Sequence, residues 1–400
     1  MSQATGISER TALRFVVLVG LVSLFADMTY EGARSITGPY LAVLGASGTA
    51  VGVIAGLGEL LGYGLRLASG YLADRTKHYW ALTLLGYGVN VLAVPLLALA
   101  GRWEIAAALM IAERVGKAIR TPARDVMLSQ ATHRIGHGRG FGLHEALDQV
   151  GAVSGPLLVA LVLGTGRAGY PTAFAALWVP ALLTLGVLTV AWRLFPDPRQ
   201  LEAAPTDRPG PDRLPAVFWL YLAASALIAA GFADFPLIAY HLGKHAVVPP
   251  VGIPILYAFA MGVDAVAALL FGRWFDRLGL GVLIASTLLS ALFAPLVFLG
   301  RGPAALMGVI LWGIGLGAQE SILRATIAGM VPPERRGWAY GLFNAAFGIA
   351  WFLGSALMGF LYDAAPYELI AFSVVAQLAA LPLLGIVARG GRGAAGASPP

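Results

Sequence analysis

The chain contains no cysteine, and only 12% of its 400 residues are charged. The absence of cysteine excludes disulfides, iron–sulfur ligation, thiolate zinc sites and cysteine nucleophiles. The sequence also lacks a nucleotide-binding glycine loop, a serine nucleophile motif and a histidine pair at metal-ligand spacing such as H-E-x-x-H. Any chemistry therefore rests on carboxylates, basic groups and amides, and we expect no enzymatic activity, no metal and no cofactor.

Hydrophobic residues are abundant, at 58% of the chain, and the mean hydropathy is +0.76. A soluble domain of this size does not need so much apolar surface to fill its core, so we expect lipid as the solvent. A helix needs roughly 20 apolar residues to cross a hydrocarbon layer of about 30 Å. Twelve segments qualify, numbered here span 1 to span 12. They are predicted at 13–44, 48–72, 79–100, 104–130, 139–164, 171–193, 215–241, 250–273, 279–300, 303–330, 337–361 and 367–388.

The distribution of Lys and Arg between the loops predicts the topology. With the N-terminus in the cytoplasm, the outer loops hold only Arg102, Arg167, Lys244 and Arg301, and the inner loops hold most of the rest. We therefore expect an inner-membrane protein with both termini in the cytoplasm. This asymmetry also explains the pI of about 9.6 without nucleic acid as a partner. The predicted cytoplasmic ends of the spans are called inner ends below, and the opposite ends outer ends.

Short sequence matches relate the first six spans to the last six. Phe25-Ala26-Asp27 recurs as Phe232-Ala233-Asp234, and the spacing of about 200 residues is shared by other matches in the same order. We predict an all-α membrane protein of two pseudo-symmetric six-helix bundles. The predicted divisions are an N-terminal bundle at 1–194, a cytoplasmic linker at 195–214, a C-terminal bundle at 215–388 and a disordered tail at 389–400.

A loop signature follows span 2. Gly70-Tyr71-Leu72-Ala73-Asp74-Arg75-Thr76-Lys77 resembles the G-x-L-A-D-R-x-G-R/K signature of the major facilitator superfamily, with Lys77 in place of the signature's second glycine. A copy after span 8 contains Asp276 and Arg277 and keeps that glycine as Gly279. The resemblance implies a gate in which the carboxylates pair with arginines, Arg124 included, and with helix N-termini. The alternative is a solvated Asp-Arg loop.

A second signature lies in span 5. Gly142, Gly151 and Gly155-Pro156 resemble the antiporter motif of the twelve-helix drug:proton antiporters of the same superfamily, although the pattern ends in Val159-Ala160 instead of two glycines. The resemblance implies proton-coupled exchange. The alternative is ordinary tight packing, because small residues let membrane helices approach closely and proline bends them.

Several charged residues fall inside the predicted spans, where each costs several kcal/mol unless it finds a partner or serves a function. Asp27, Glu59 and Asp148 lie near the middle of spans 1, 2 and 5. Asp27, Glu31 and Arg34 share one face of span 1, where a single cation neutralises only one of the two acids. Tyr63 shares a face of span 2 with Glu59.

Span 4 is the most heavily charged. Glu113, Lys117, Arg120 and Arg124 fall on one stripe of the helix. That stripe could line a water-filled cavity, pair with the acids of spans 1, 2 and 5, or bind an anionic substrate. For Arg120 and Arg124, near the inner end, the alternative is side chains that reach out to the membrane surface.

The second half has fewer charges within its spans. Asp234 lies in span 7 and Asp264 in span 8. Glu320 and Arg324, four residues apart in span 10, could neutralise each other. We therefore expect proton coupling in the first half and more of the apolar pocket wall in the second.

The leading functional hypothesis is a secondary active transporter that moves a small organic solute by alternating access, with proton-coupled efflux. Asp27 and Asp148 are the first candidates for the proton carrier, followed by Glu31, Glu59 and Glu113. The substrate or charge-pair candidates are Arg34, Tyr63, Lys117, Arg120, Asp234 and Glu320.

Three other functions remain open. The first is an importer or exchanger of anions with Arg34, Lys117 and Arg120 as ligands, the second a lysolipid or lipid transporter, and the third a sensor that transports nothing. The expected partners are protons, a small-molecule substrate and the bilayer, and we expect a monomer.

Overall fold

The computed structural model describes residues 9–166, 169–196, 214–331 and 335–395. Within those residues the chain is helical with no β-strand, and every predicted span is a helix or a pair of helices. The predicted all-α class is confirmed. In the first half the helices are Glu9–Val43, Gly48–Thr76, Tyr79–Leu96 with a 3-10 turn at Leu97–Leu99, Trp103–Ile135, His137–Gly164, and the pair Tyr170–Ala176 and Trp178–Leu194. In the second half they are the pair Ala216–Gly231 and Phe235–Lys244, then Gly252–Leu278, the pair Gly281–Ser290 and Phe293–Phe298, Pro303–Met330, Arg336–Ala364 and Pro366–Ala395.

Span 4 differs from the other spans in composition. Eleven helices of the described chain are long and apolar enough to cross a membrane, and Trp103–Ile135 is not among them. Its length is sufficient, but the charged stripe lowers its hydropathy. A helix of this kind is stable in lipid when its polar face is covered by other helices.

Span 7 was predicted as continuous but is interrupted. Its first helix ends at Gly231, and Phe232 and Asp234 have extended backbone before the second helix begins at Phe235. Asp234 occupies the N-cap position, and Pro236 lies in the first turn, where its missing N–H is not needed. The matching Phe25-Ala26-Asp27 segment of span 1 lies inside an unbroken helix.

Several helices extend beyond their predicted ends. Span 2 continues to Thr76, so the Asp74-Arg75 signature lies on the last helical turn instead of in a loop. Span 12 continues to Ala395, into the predicted disordered tail, and residues 396–400 lie outside the described residues. The predicted linker at 195–214 also falls mostly outside them, at 197–213.

The chain divides into two compact units. The first contains residues Met1–Ile36 and Leu61–Thr206, and the second contains Thr37–Leu60 and Asp207–Pro400. The second unit thus includes the outer ends of spans 1 and 2 together with spans 7 to 12. The predicted bundle boundaries at 194 and 215 remain a prediction.

Glycines hold the spans of the first unit close together. A Cβ atom added to Gly155 in span 5 would collide with the Met28 carbonyl oxygen and lie 2.9 Å from the Gly32 nitrogen in span 1. Spans 3 and 4 meet in the same way at Gly86 and Gly116. These contacts leave no room for side chains, so the backbones themselves set the distance between the helices.

The second unit repeats this packing and adds a helix cap. A Cβ atom added to Gly354 of span 11 would collide with the backbone of Ala230 in span 7. At the outer ends, the Asp363 carboxylate accepts hydrogen bonds from the backbone N–H groups of Gly48 and Thr49, at 2.9 and 2.7 Å. Asp363 therefore fixes the start of span 2 to the end of span 11 within this unit.

Candidate functional site

A polar cluster occupies the first unit, built from spans 1, 3, 4 and 5. Its side chains are polar or charged, and most are buried. It contains Ser23, Asp27, Tyr30, Glu31, Tyr87, Asn90, Glu113, Lys117, Arg120, Arg124, His144 and Asp148. The predicted charged faces of spans 1, 4 and 5 thus meet in one region.

The Tyr30 ring lies close to two cations of span 4. The Lys117 Nζ atom is 3.9 Å from the centre of the Tyr30 ring, and the Arg120 Cζ atom is 6.0 Å from it. Arg120, only 1% exposed, also lies 4.2 Å from the centre of the Tyr87 ring. Aromatic faces stabilise cations by about 0.5–2 kcal/mol each, more when water is excluded.

Asp27 is 7% exposed and lies next to the Tyr30 hydroxyl group. Lys117 and Arg120 are the cations that act on its charge, and Glu31 is a neighbouring acid. Among the described residues, however, no cation makes a direct ion pair with Asp27. For Asp27, the pairing predicted with span 4 is therefore electrostatic attraction without a direct ion pair, while Lys117 lies on the Tyr30 ring and Arg120 on the Tyr87 ring.

Asp148 lies in span 5 and includes Asp27 among its charged neighbours. Its Oδ2 atom is 3.5 Å from the Nε2 atom of His144, which is in turn 3.4 Å from the Ser23 hydroxyl oxygen. Arg124 donates to the same hydroxyl group at 3.1 Å and also contacts its neighbour Asp125 at 2.8 Å. A row of polar groups thus runs from span 5 to spans 1 and 4.

Glu113 lies in a separate part of the polar cluster. The Asn90 side chain donates to its Oε1 atom at 2.8 Å, and Arg114 lies 3.3 Å from its Oε2 atom. Glu113 is thus neutralised and hydrogen-bonded. It is accordingly a weaker candidate for proton exchange than Asp27.

Other predicted site residues lie elsewhere. Glu59 is half-buried and belongs to the second unit. Tyr63 belongs to the first unit, where the centre of its ring lies 5.5 Å from the Arg66 Cζ atom. Arg34 is half-buried at the edge of the first unit. Asp234 is buried in the second unit, where the Trp351 indole N–H donates to its Oδ2 atom at 3.1 Å.

Glu320 and the Asp-Arg pairs of the loop signature and its copy are exposed. Glu320, Asp276 and Arg277 all project from the protein surface. Asp74 and Arg75 are also exposed, and Arg75 donates to the Tyr71 hydroxyl group at 3.3 Å. Among the described residues Asp74 makes no ion pair, and the gate implied by the loop signature stays a prediction. A Cβ atom added to Gly70 would lie 3.6 Å from the Pro122 side chain of span 4.

The antiporter-like motif combines two kinds of position. Gly151 and Gly155 pack against the backbone of span 1, and the buried Pro156 follows them. An added Cβ atom on Gly151 would lie 2.9 Å from the Cβ atom of Asp27, so the motif sets the distance between Asp27 and span 5. Gly142 is exposed and an added Cβ atom there meets nothing within 4 Å.

Sequence reasoning missed the neutral members of the polar cluster. Tyr30 lies three residues after Asp27, on the same helix face, and that spacing was an available signal. Asn90 is the only amide in span 3 and stood out within an apolar run. Ser23 and Tyr87 carry no such signal, because serine and tyrosine occur throughout membrane helices.

No group of three or more metal-ligating side chains is present in the described part of the chain. The arrangement instead offers buried carboxylates, an imidazole and cations on aromatic rings. These groups can exchange protons and hold charge in a low-dielectric region.

The fold and the polar cluster together define a class: a multi-pass membrane transport protein. A family model of the Major Facilitator Superfamily matches residues 19–355 and 235–395. The chain belongs to the Major Facilitator Superfamily. It is a membrane transporter of this type, and the superfamily assignment made from the Gly70–Lys77 segment is confirmed.

Three similar proteins illustrate the relationship. An uncharacterised protein of Mycobacterium tuberculosis (strain ATCC 25618 / H37Rv) is 44% identical over 379 residues, which cover 94% of this chain and 93% of the relative. An uncharacterised MFS-type transporter of Methanocaldococcus jannaschii is 26% identical, with 94% and 96% covered. The crystal structure of a POT family transporter in complex with a thioalcohol-conjugated peptide matches with a TM-score of 0.73 at 13% identity, covering 94% of this chain and 95% of that chain. The last match shows a common fold.

Proposed function

We propose that this transporter couples efflux of a small organic solute to proton entry, and that Asp27 carries the coupled proton. The observation that supports this proposal is the position of Asp27, a buried carboxyl group facing two cations to which it is not bonded. A group in that position is attracted to Lys117 and Arg120 when charged and is released from them when neutral. Its protonation therefore changes the forces between spans 1 and 4.

Alternating access needs two packings of the same helices that differ by only a few kcal/mol. With Asp27 ionised, attraction to Lys117 and Arg120 favours the packing in which spans 1 and 4 are closest. With Asp27 protonated, the cations remain on the Tyr30 and Tyr87 rings and that preference is lost. Proton binding thus shifts the population between the two packings, which is how a gradient drives transport.

We further infer an inner-membrane location with both termini in the cytoplasm, a monomer, and membership of the drug:proton antiporter branch. The excess of Lys and Arg at the inner ends supports the orientation. The packing of Gly151 and Gly155 against the Asp27 helix supports the branch, because the motif places span 5 directly beside the candidate proton carrier.

The test uses everted membrane vesicles acidified by respiration, with a fluorescent pH probe. A panel of lipophilic organic cations and a second panel of carboxylate and phosphate compounds are screened for proton release from the vesicles. With a compound that releases protons, we expect Asp27→Asn to abolish proton release while exchange of labelled for unlabelled compound continues, because exchange needs no net protonation change.

The matched control is Glu104→Gln, which removes an exposed acid at the outer end of span 4, paired with Arg102 at 3.0 Å. This variant should behave like the unmodified protein. If Asp27→Asn retained proton release at the level of the control, the assignment of the proton carrier to Asp27 would be wrong.

One observation favours a second candidate, transport of an anionic solute. The Nε and Nη1 atoms of Arg120 are buried and have no hydrogen-bond partner among the described residues. A carboxylate or phosphate group could accept from them. Selective activity with the second compound panel, lost in Lys117→Ala, would support this candidate over efflux of an organic cation.

A further inference from the structure

His144 is a buried titratable side chain that the coupling scheme above does not use. It is 4% exposed, on span 5, one helical turn from Asp148 toward the inner end. Its Nε2 atom faces two oxygen atoms, Asp148 Oδ2 at 3.5 Å and the Ser23 hydroxyl oxygen at 3.4 Å. The ring therefore lies between the second buried acid and a hydroxyl group of span 1.

The contact between His144 and Asp148 requires a proton. An imidazole nitrogen and a carboxylate oxygen that both present lone pairs repel each other, so a proton sits either on Nε2 or on Oδ2. With one proton between the facing atoms and a second on Nδ1, the pair has two arrangements of the same net charge. One is an imidazolium beside a carboxylate, and the other is a neutral imidazole beside a carboxylic acid.

The surroundings of His144 limit how long it can stay positively charged. Arg124 and Arg120 face it from span 4, Ser23 from span 1, and Tyr87 reaches the same hydroxyl group from span 3 at 3.3 Å. Two arginines oppose a third positive charge at this position. The Arg124 guanidinium group donates to Ser23, which leaves the serine hydrogen free to point to the imidazole or to Tyr87.

The other ring nitrogen provides an exit. The Nδ1 atom of His144 is buried and has no hydrogen-bond partner among the described residues. A ring that receives a proton at one nitrogen and releases another from the second moves one proton without changing its own charge. Asp27, Asp148 and His144 also lie successively closer to the inner ends of their spans.

We propose that His144 is the relay that passes the coupled proton from Asp148 to the inner side. The O–H bond at Asp148 Oδ2 breaks and an N–H bond forms at His144 Nε2, giving a carboxylate and a short-lived imidazolium. The Nδ1–H bond then breaks and its proton leaves to water, which restores a neutral ring. This proposal rests on the proposed proton coupling and assigns a residue within it.

A first test uses protons alone as the probe. The full-length protein is reconstituted in lipid, and its infrared spectrum is recorded over a series of pH values. Difference spectra then follow the carboxylic-acid and imidazole bands. The difference between the unmodified protein and His144→Gln isolates the His144 bands from those of the other five histidines. In His144→Gln we expect the midpoint of the Asp148 carboxyl band, assigned with Asp148→Asn, to move by about one pH unit or more. Asp148→Asn should move the His144 midpoint by the same amount, because such coupling is reciprocal.

A second test separates the relay from a packing role. Glutamine keeps a buried hydrogen-bonding side chain but cannot relay a proton, so a merely structural histidine is rescued by His144→Gln. We expect this variant to keep compound exchange and to slow proton-driven efflux on the order of a hundredfold. The efflux rate of the variant should also depend less on the pH at the inner side than the rate of the unmodified protein does.

The outcomes distinguish the relay from the proposed function. Unchanged proton-driven efflux in His144→Gln, together with loss in Asp27→Asn, overturns the relay and leaves proton coupling intact. Unchanged infrared midpoints, or loss of exchange together with efflux, also overturn the relay. Absence of proton release in the unmodified protein, with exchange present, overturns the proposed function itself.

Discussion

Lys77 has a backbone conformation that residues with a side chain seldom adopt. Its φ angle is +55°, in the left-handed region, at the position where the superfamily signature has glycine. The copy after span 8 keeps the glycine there, and Gly279 has a φ angle of +60°. Both turns therefore have a positive φ angle at this position, although only one retains the residue that adopts it without strain.

This pair yields a prediction about stability. A left-handed conformation costs a residue with a Cβ atom roughly 1–2 kcal/mol, and glycine avoids that cost. We expect Gly279→Ala to lower the thermal unfolding temperature of the purified protein and Lys77→Gly to leave it unchanged or raise it. An equal loss of stability in both variants would contradict this account of the two positive φ angles.

At the level of single residues, the sequence predicted the buried charges better than their partners. A charge in a membrane span must be covered, so the cations of span 4 and the acids of spans 1 and 5 were expected to meet. The stacking of Arg120 on Tyr87 could not be predicted in the same way. Asn90 marks the face of span 3 that turns toward span 4, but nothing in the sequence assigns Arg120 to the Tyr87 ring instead of the Tyr30 ring.

The contact between spans 1 and 5 links the glycine motif to the candidate proton carrier. Gly155 packs against Met28 and Gly32, and its duplicate in the second unit, Gly354, packs against Ala230 of span 7. A glycine thus allows close packing of spans 1 and 5 in the first unit and of the corresponding spans 7 and 11 in the second. A duplicated backbone plan explains this more simply than two independent packing solutions.

Substitution of these glycines tests whether the motif sets helix distance. Gly155→Val would force the helices apart, which typically costs 1–3 kcal/mol or more. We expect lower thermal stability and loss of proton-coupled transport. Gly142→Val, in the same motif but in open space, should remain within about 0.5 kcal/mol of the unmodified protein. Equal tolerance of both substitutions would show that this helix contact is unimportant.

At the level of helices, apolar length predicted where the spans lie but not where they break. The sequence around the break in span 7 does indicate a new helix, because Asp234 followed closely by Pro236 is typical of a helix start. The interruption of span 9 after Ser290 carries a similar signal, because Pro295 in the second helix cannot donate to the carbonyl of Ala291, four residues earlier.

In the whole molecule, the two units differ in what they bury. The first buries charged groups around Tyr30, whereas the second buries an aromatic group around the span 7 break. There the Phe232 ring lies 5.8 Å from Trp312 and 6.0 Å from Trp351. This difference supports the expectation that the first unit holds proton coupling. Solute recognition is set by side chains and not by the fold, because one fold serves many functions.

The central claim is that a proton gradient drives this transporter. The most direct measurement uses purified protein in proteoliposomes, with a compound from the vesicle screen at equal concentration on both sides. A pH difference is imposed, and the membrane potential is held at zero with potassium and valinomycin. We predict net movement of the compound against its developing gradient, opposite in direction to the proton flow, and reversed when the pH difference is reversed. Equilibration that ignores the imposed pH difference, in a preparation that still exchanges the compound, would contradict the account.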